Sequence, residues 1–115
     1  MTVDEGLLRR LRDELGWLAG ITEKKMMGGV CFLLRGHMIA AADRAPGGQG
    51  RFMFRVGWEN DERGSALPGA EPVVDGGRRM GGLFFVGEDN CRGEALHPWL
   101  SLAVEHAAGL PAKPA

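Results

Sequence analysis

The first part of the chain carries leucines at the spacing of one helical face. Counted from the first of them, they stand at offsets of 1, 4, 8 and 11 residues, which is one stripe of a helix with about 3.6 residues per turn. The stripe comprises Leu7, Leu8, Leu11, Leu15 and Leu18. Thr2 and Glu5 have the spacing of a capping box, and Gly20 is a natural stop. The pattern therefore predicts an amphipathic helix over residues 3–19.

Three segments that follow are rich in strand-forming residues. Val30–Leu34 and His37–Ala40 flank the pair Arg35-Gly36, an arrangement typical of a β-hairpin with a two-residue turn. In Phe52–Val56, apolar and polar positions alternate, which indicates a strand with one buried face. The glycine-rich stretch 45–50 predicts a loop before this third strand.

The second half of the chain predicts a short helix, two strands and a long helix. Trp58–Ala66 is polar and permits a helix, whereas Pro72–Asp75 and Leu83–Val86 resemble strands whose pairing stays open. We expect Trp99, beside Leu100 on the last helix, to pack in the core or in an interface. The stripe that predicts this helix comprises Leu96, Leu100, Ala103, Ala107 and Leu110.

Together these elements predict an α+β fold. The order α-β-β-β-α-β-β-α indicates a mainly antiparallel five-stranded sheet with helices packed on it, which is a two-layer α/β sandwich. A chain of 115 residues has the size of one compact domain. We therefore expect a single domain over residues 1–115, ordered from about 3 to 110, with a frayed tail at 111–115.

Composition excludes several classes of protein. The 14 Lys and Arg residues balance 15 Asp and Glu residues, whereas binding nucleic acid without regard to sequence needs a clustered excess of basic side chains. Asp4 and Glu5 stand where a signal peptide carries positive charge. The longest apolar tract, Val30–Ala42, contains a charged residue and is shorter than the ~18 uncharged residues that span a bilayer. We therefore expect a cytoplasmic protein without a membrane segment.

Two cysteines and two histidines are paired along the chain, Cys31 with His37 and Cys91 with His97, and four such ligands can hold zinc. The predicted hairpin argues against this site. With its turn at residues 35–36, Cys31 faces Ala40, about 10 Å along the ladder from His37. The other pair is six residues apart, which places the two side chains on different faces of a continuous helix. We therefore predict neither a metal nor another cofactor.

The two thiols differ in their sequence context. Cys31 stands inside a hydrophobic strand, as a small core residue does. Cys91, between Asn90 and Arg92 and near the start of the last helix, is the more reactive candidate, because a helix N-terminus stabilises a thiolate. A redox sensor that uses Cys91 is therefore one alternative function, although an ordinary exposed cysteine in a loop accounts for the same pattern and no base accompanies it.

Four basic residues form the candidate contact for an anion or a partner: Lys24, Lys25, Arg78 and Arg79. They act together only if folding brings the two segments side by side, in which case they would attract a phosphate or an acidic surface. The simpler interpretation is a solvated face. A nucleic-acid-binding accessory domain that uses this patch is a further alternative function.

Several short motifs resemble the N-terminal domain of the TfoX/Sxy family. The strongest is Glu23–Phe32 followed by Arg35–Ala40, in which basic residues, Met and Gly-Gly lead into the first hairpin. Further pieces follow in the same order as in the family: Phe54–Gly57, Leu67–Pro72, Gly77–Leu83, and Leu96 and Trp99 with Ala107–Lys113. The resemblance extends over about residues 8 to 113, nearly the whole chain.

This resemblance implies a two-layer fold similar to that of secretion chaperones, with the element order given above. It also implies a regulatory and non-catalytic role, because the named members regulate natural competence together with a cyclic-AMP-dependent activator at promoters. Those members carry a second, C-terminal domain, and this chain ends where that domain begins, so it is similar to stand-alone members. We therefore expect an adaptor that contacts protein partners such as the transcription machinery, and that forms a homodimer through a strand edge or a helix face.

Overall fold

A computed structural model describes residues 5–26 and 28–112 of the chain. The α+β class and the two-layer architecture are confirmed, but the sheet has six strands and not five. The observed order is α-β-β-β-β-α-β-β-α. The helices and strands are α1 Glu5–Leu15, β1 Ile21–Met26, β2 Gly29–Leu34, β3 His37–Arg44, β4 Gly50–Arg55, α2 Asp61–Ser65, β5 Glu71–Asp75, β6 Arg78–Gly87 and α3 Leu96–Ala108. The described residues also form short 3₁₀ turns at Trp58–Asn60, Glu88–Cys91 and Gly93–Ala95.

The strand that the prediction missed is β1, at one edge of the sheet. All neighbouring strands are antiparallel, in the spatial order β1-β2-β3-β4-β6-β5. β1 pairs with β2 from Ile21 opposite Leu34 to Met26 opposite Gly29. Only its first residue is even partly buried. An edge strand with polar residues lacks the apolar alternation on which the prediction depended, so backbone pairing alone defines it.

The hairpin of β2 and β3 is confirmed, with one change of register. Arg35 and Gly36 have φ values of 51° and 88°, as a two-residue type I′ turn requires. Beyond the turn, an extra residue of β3 forms a bulge, so that Cys31 pairs with Ala41. The prediction that Cys31 faces Ala40 is therefore wrong by one position, because a bulge cannot be read from the apolar pattern.

Both long helices pack on the same face of the sheet. The four leucines of α1, Leu7, Leu8, Leu11 and Leu15, are buried as predicted. The helix ends at Leu15 and not at residue 19, and Leu18 packs against the core from beyond the helix end. The proposed cap at Thr2 lies outside the described residues. None of the helices within residues 5–26 and 28–112 is long and apolar enough to cross a membrane.

The centre of the core is Trp99 on α3, whose side chain is almost completely buried. Its ring stacks on Phe54 of β4 with centroids 5.2 Å apart and lies 5.4 Å from the ring of Phe84 on β6. The expectation that Trp99 packs in the core is confirmed. The first residue of the predicted tail is also held in place, because the Pro111 carbonyl accepts a hydrogen bond from His37 Nε2 at 2.6 Å.

Two glycines allow the chain to cross closely at the end of β4. Gly57 and Gly82 have φ values of 83° and 76°, and the Val56 N–H donates to the Gly82 carbonyl at 2.8 Å. A Cβ atom on Gly82 would lie 2.5 to 2.9 Å from the backbone of Gly57. Because backbone atoms cannot move aside as a flexible side chain can, only glycine fits at this crossing.

We expect Gly82→Ala to destabilise the protein by about 3 kcal/mol, since it adds left-handed strain to a backbone clash. The matched control is Gly87→Ala, on the same strand, where φ is −61° and no atom lies within 4 Å of the added carbon. The control should change the free energy of unfolding by less than about 1 kcal/mol. Urea denaturation measures the free energy of unfolding of both variants. A similar loss of stability in the two would contradict the close crossing of Gly57 and Gly82.

Candidate functional site

One face of the sheet is left without helices, and we call it the open face. Along a strand successive side chains point to opposite faces. On β4, Phe52 and Phe54 are fully buried beneath the helices, so Arg51, Met53 and Arg55 point the other way. Through the strand register, the open face comprises Thr22, Lys24, Met26, Cys31, Leu33, Met38, Ala41, Asp43, Arg51, Met53, Arg55, Glu71, Leu83 and Phe85.

A single row of paired residues crosses the open face from edge to edge, and we call it the central row. From β1 to β5 it consists of Lys24, Cys31, Ala41, Met53, Phe85 and Glu71, each opposite the next in the register. Its two ends are charged with opposite sign, and its four middle positions are apolar. The small side chains of Cys31 and Ala41 form the floor of a hollow of about 180 Å³, and larger side chains such as Met38, Met53 and Phe85 form its walls.

Beside the central row lies the open face's one charge pair within the described residues. Arg51 donates to Asp43 through Nε at 2.8 Å and through Nη2 at 3.2 Å, in a bidentate arrangement. The guanidinium of Arg51 also stacks over the ring of Phe85, 3.7 Å from its centroid. Both charged side chains are mostly buried already, with exposed fractions of 22% and 32%. The pair is therefore ordered beside the apolar middle of the central row.

Two strands carry a sequence signal for this surface. Leu83–Val86 is apolar at every position, which is typical of a strand with two apolar faces. Met53 likewise stands between the core residues Phe52 and Phe54, at a position where a solvent-exposed face of the sheet would carry a polar residue. These positions indicate a second apolar face, but only the register shows that they lie side by side.

The four basic candidate residues are not brought together. Lys24 and Lys25 lie on the edge strand β1, whereas Arg78 and Arg79 lie on β6, which is four strands away or about 19 Å at the usual strand spacing. Lys24 and Lys25 moreover point to opposite faces, because they are consecutive in a strand. Arg79 is engaged with Asp61 at 2.9 and 3.0 Å. The structure thus shows no joint patch of these four residues.

The cysteines and histidines that suggested a metal site are also separated. Cys31 lies on the open face, whereas His37, opposite Leu34, lies on the helix side of the sheet. Cys91 is completely buried, while His97 is exposed and lies 3.7 Å from Glu14. Within residues 5–26 and 28–112, no three His, Cys, Asp or Glu residues are grouped as metal ligands.

The expectation of an exposed Cys91 is wrong. The 3₁₀ turn Glu88–Cys91 carries the thiol into the core, and Arg10 donates a hydrogen bond to the Cys91 carbonyl. Burial raises the pKa of the Cys91 thiol to about 11, against a small opposite effect of Arg10. Burial also raises the pKa of Cys31, with a smaller contribution from Asp43. Neither cysteine has the exposed, low-pKa thiolate of a redox sensor.

A carboxylate–imidazole pair lies where α3 meets the turn after β4, and no sequence pattern indicates it. His106 Nδ1 is 2.6 Å from Glu59 Oε2, and this hydrogen bond holds the pKa of Glu59 below its usual range. The other nitrogen, Nε2, is buried and has no partner among the described atoms. Because Nε2 does not reach solvent, the pair cannot exchange a proton with a substrate there. Its contact therefore holds α3 to the preceding turn.

Asp61 forms the second contact that the sequence did not reveal. Its carboxylate accepts hydrogen bonds from Arg79 and from the Gly82 N–H, the latter at 2.8 Å. These bonds, that of Arg79 first, hold the pKa of Asp61 below its usual range. The residue thus joins α2 to β6 at the Gly57–Gly82 crossing.

We expect Asp61→Asn to lower the free energy of unfolding by about 1 kcal/mol at pH 7, because the ion pair with Arg79 is partly exposed. A carboxylate whose pKa is lowered by folding stabilises the native state above its unfolded pKa, and this contribution disappears as the pH falls through the folded pKa. The difference from the parent chain should therefore shrink below about pH 4. Urea denaturation from pH 7 to pH 3 measures it, with Glu62→Gln on the same helix as control. A difference that does not depend on pH would contradict this role.

We expect Cys91 to react slowly with thiol reagents in the native protein. A pKa of about 11 in place of 9.0 lowers the thiolate fraction at neutral pH about 100-fold, and burial blocks access further. The measurement is alkylation of the Cys31→Ser variant by N-ethylmaleimide at pH 7, compared with glutathione, with and without denaturant. If Cys91 in the native protein reacted as fast as glutathione does, the redox-sensor alternative would be restored.

The chain was also compared with known proteins. It matches no protein-family model, and no curated protein or solved structure is significantly similar to it.

Proposed function

We propose that this chain is a small non-catalytic regulatory or adaptor domain that acts through protein–protein contact. The observation that carries the proposal is the open face of the sheet. Its residues Leu33, Met38, Met53, Leu83 and Phe85 form a partly exposed apolar surface that no described element covers. Monomeric proteins rarely leave large contiguous apolar patches uncovered, and those that occur mark interaction sites.

The motif resemblance supports the regulatory part of the proposal. If the chain is a relative of the TfoX/Sxy N-terminal domain, its partners belong to the transcription machinery and it works in the cytoplasm. The separation of Lys24 and Lys25 from Arg78 and Arg79 makes the nucleic-acid alternative weaker, because a joint electrostatic footprint would need them together. We therefore favour binding of a protein partner over binding of nucleic-acid phosphates as the function of this chain.

The test is an affinity capture of the tagged chain from its native lysate, with and without nuclease, read by mass spectrometry. We expect a nuclease-resistant protein of the transcription machinery to be recovered. Met53→Glu places a charge in the middle of the open face and should reduce recovery about tenfold, since the burial of a charged side chain against an apolar partner surface costs at least about 1.4 kcal/mol. The new carboxylate lies beside Arg51 and Arg55 in its own strand, so the variant should fold.

The matched control is Ser101→Glu, which adds the same charge at an exposed position of α3. It should recover the partner as well as the parent chain does. If all recovered proteins disappear with nuclease, or if Met53→Glu and Ser101→Glu behave alike, the proposed protein contact through the open face is wrong.

A further inference from the structure

We infer that the open face packs against the open face of a second copy of this chain, about a two-fold axis that runs nearly parallel to the strands between β3 and β4. The inference rests on the proposed function, because it assigns the open face to contact between two copies, and the regulatory partner then binds the resulting dimer. It differs from edge-to-edge pairing. Lys24 and Lys25 on β1 and Pro72 on β5 occupy the two sheet edges, where such residues discourage the addition of a further strand.

Symmetry leaves few ways to stack two identical faces. A two-fold axis that relates two facing sheets must lie in the plane between them, and packed sheets keep their strand directions within about 30° of each other. An axis along the strands reverses the order of strands across the interface but preserves the position along each strand. β3 then faces β4 of the second copy, and β2 faces its β6. The central row of one copy lies over the central row of the other in reverse order.

This arrangement matches large side chains with small ones. Ala41 comes to lie opposite Met53 of the second copy, and Cys31 opposite its Phe85. These small residues form the floor of the 180 Å³ hollow, so the second copy's Met53 and Phe85 fill it. Facing sheets pack well when large and small side chains alternate across the interface in this way.

The same arrangement matches charges of opposite sign. Lys24, at one end of the central row, meets Glu71 of the second copy, at the other end. In the neighbouring row Asp43 meets Arg51 of the second copy, so that two intramolecular pairs form one network of four charges. An axis along the central row would instead place Lys24 over Lys24 of the second copy and Arg51 over its Arg55, so that charges of the same sign face each other. Like charges that face each other are costly, which favours the axis along the strands.

The first measurement is the solution mass of the purified chain by sedimentation equilibrium. We expect the parent chain and Ser101→Glu to have twice the chain mass of 12.4 kDa at about 100 µM, and Met53→Glu to have the mass of one chain. Circular dichroism confirms that each variant is folded. A single-chain mass for the folded parent protein would overturn the inference.

The second measurement tests the axis, because Lys24 and Glu71 lie about 24 Å apart within one chain and can meet only between two copies. Lys24→Glu and Glu71→Lys should each raise the dimer dissociation constant about tenfold at low salt, since two rim pairs per dimer become repulsive. Mixed in equal amounts, the two variants should form a heterodimer nearly as tight as the parent dimer. This recovery should vanish at high salt.

Dimers of the two variants that do not tighten on mixing would overturn the proposed axis. The two proposals also fail separately. A monomeric parent chain whose lysate partner is lost in Met53→Glu contradicts the second copy and leaves the protein contact standing. A confirmed dimer that captures no regulatory protein supports the second copy and contradicts the adaptor role.

Discussion

The stacking of Trp99 on Phe54 and Phe84 decides which face of the sheet is covered. Because these two phenylalanines lie on adjacent strands, β4 and β6, the indole fixes α3 across the middle of the sheet. In the four central strands the side chains then alternate between the core and the opposite side, except at the bulge in β3. The open face is thus a direct consequence of one aromatic contact combined with the alternation of strand side chains.

Elements with a strong local pattern were predictable from the sequence. The leucine stripe of α1, the stripe of α3 and the Arg35-Gly36 turn each depend on residues that are close in the chain. The structure confirms the turn and both stripes, except that the last residue of each stripe, Leu18 and Leu110, lies beyond the helix end. β1 was missed because its own sequence has no such local pattern. Between Ile21 and Met26 its side chains are polar and exposed, so the strand is defined by its hydrogen bonds to β2, which leave no pattern in its own sequence.

Features that depend on distant parts of the chain were not predictable. The bulge in β3 moves Cys31 opposite Ala41, and no neighbouring residue indicates it. Cys91 is buried because the 3₁₀ turn that carries it folds against α1, where Arg10 contacts its carbonyl. Lys24 and Arg78 are separated because β2, β3 and β4 lie between their strands. Each outcome requires the strand order, which short-range periodicity does not contain.

Two neighbouring rows of the open face are nearly antisymmetric about its midline, and this property links the fold to the proposed dimer. One row carries a lysine, two small residues, two large residues and a glutamate, and the next carries Gly29, Asp43, Arg51 and Gly87 across β2, β3, β4 and β6. A partner of unrelated sequence would need to supply the complement of both rows. A second copy, turned about an axis along the strands, supplies it for the six residues of the central row and for Asp43 and Arg51, because each of these has its complement at the mirrored strand. The strand register determines which side chains lie on the open face. It therefore also determines that this face is complementary to the open face of a second copy.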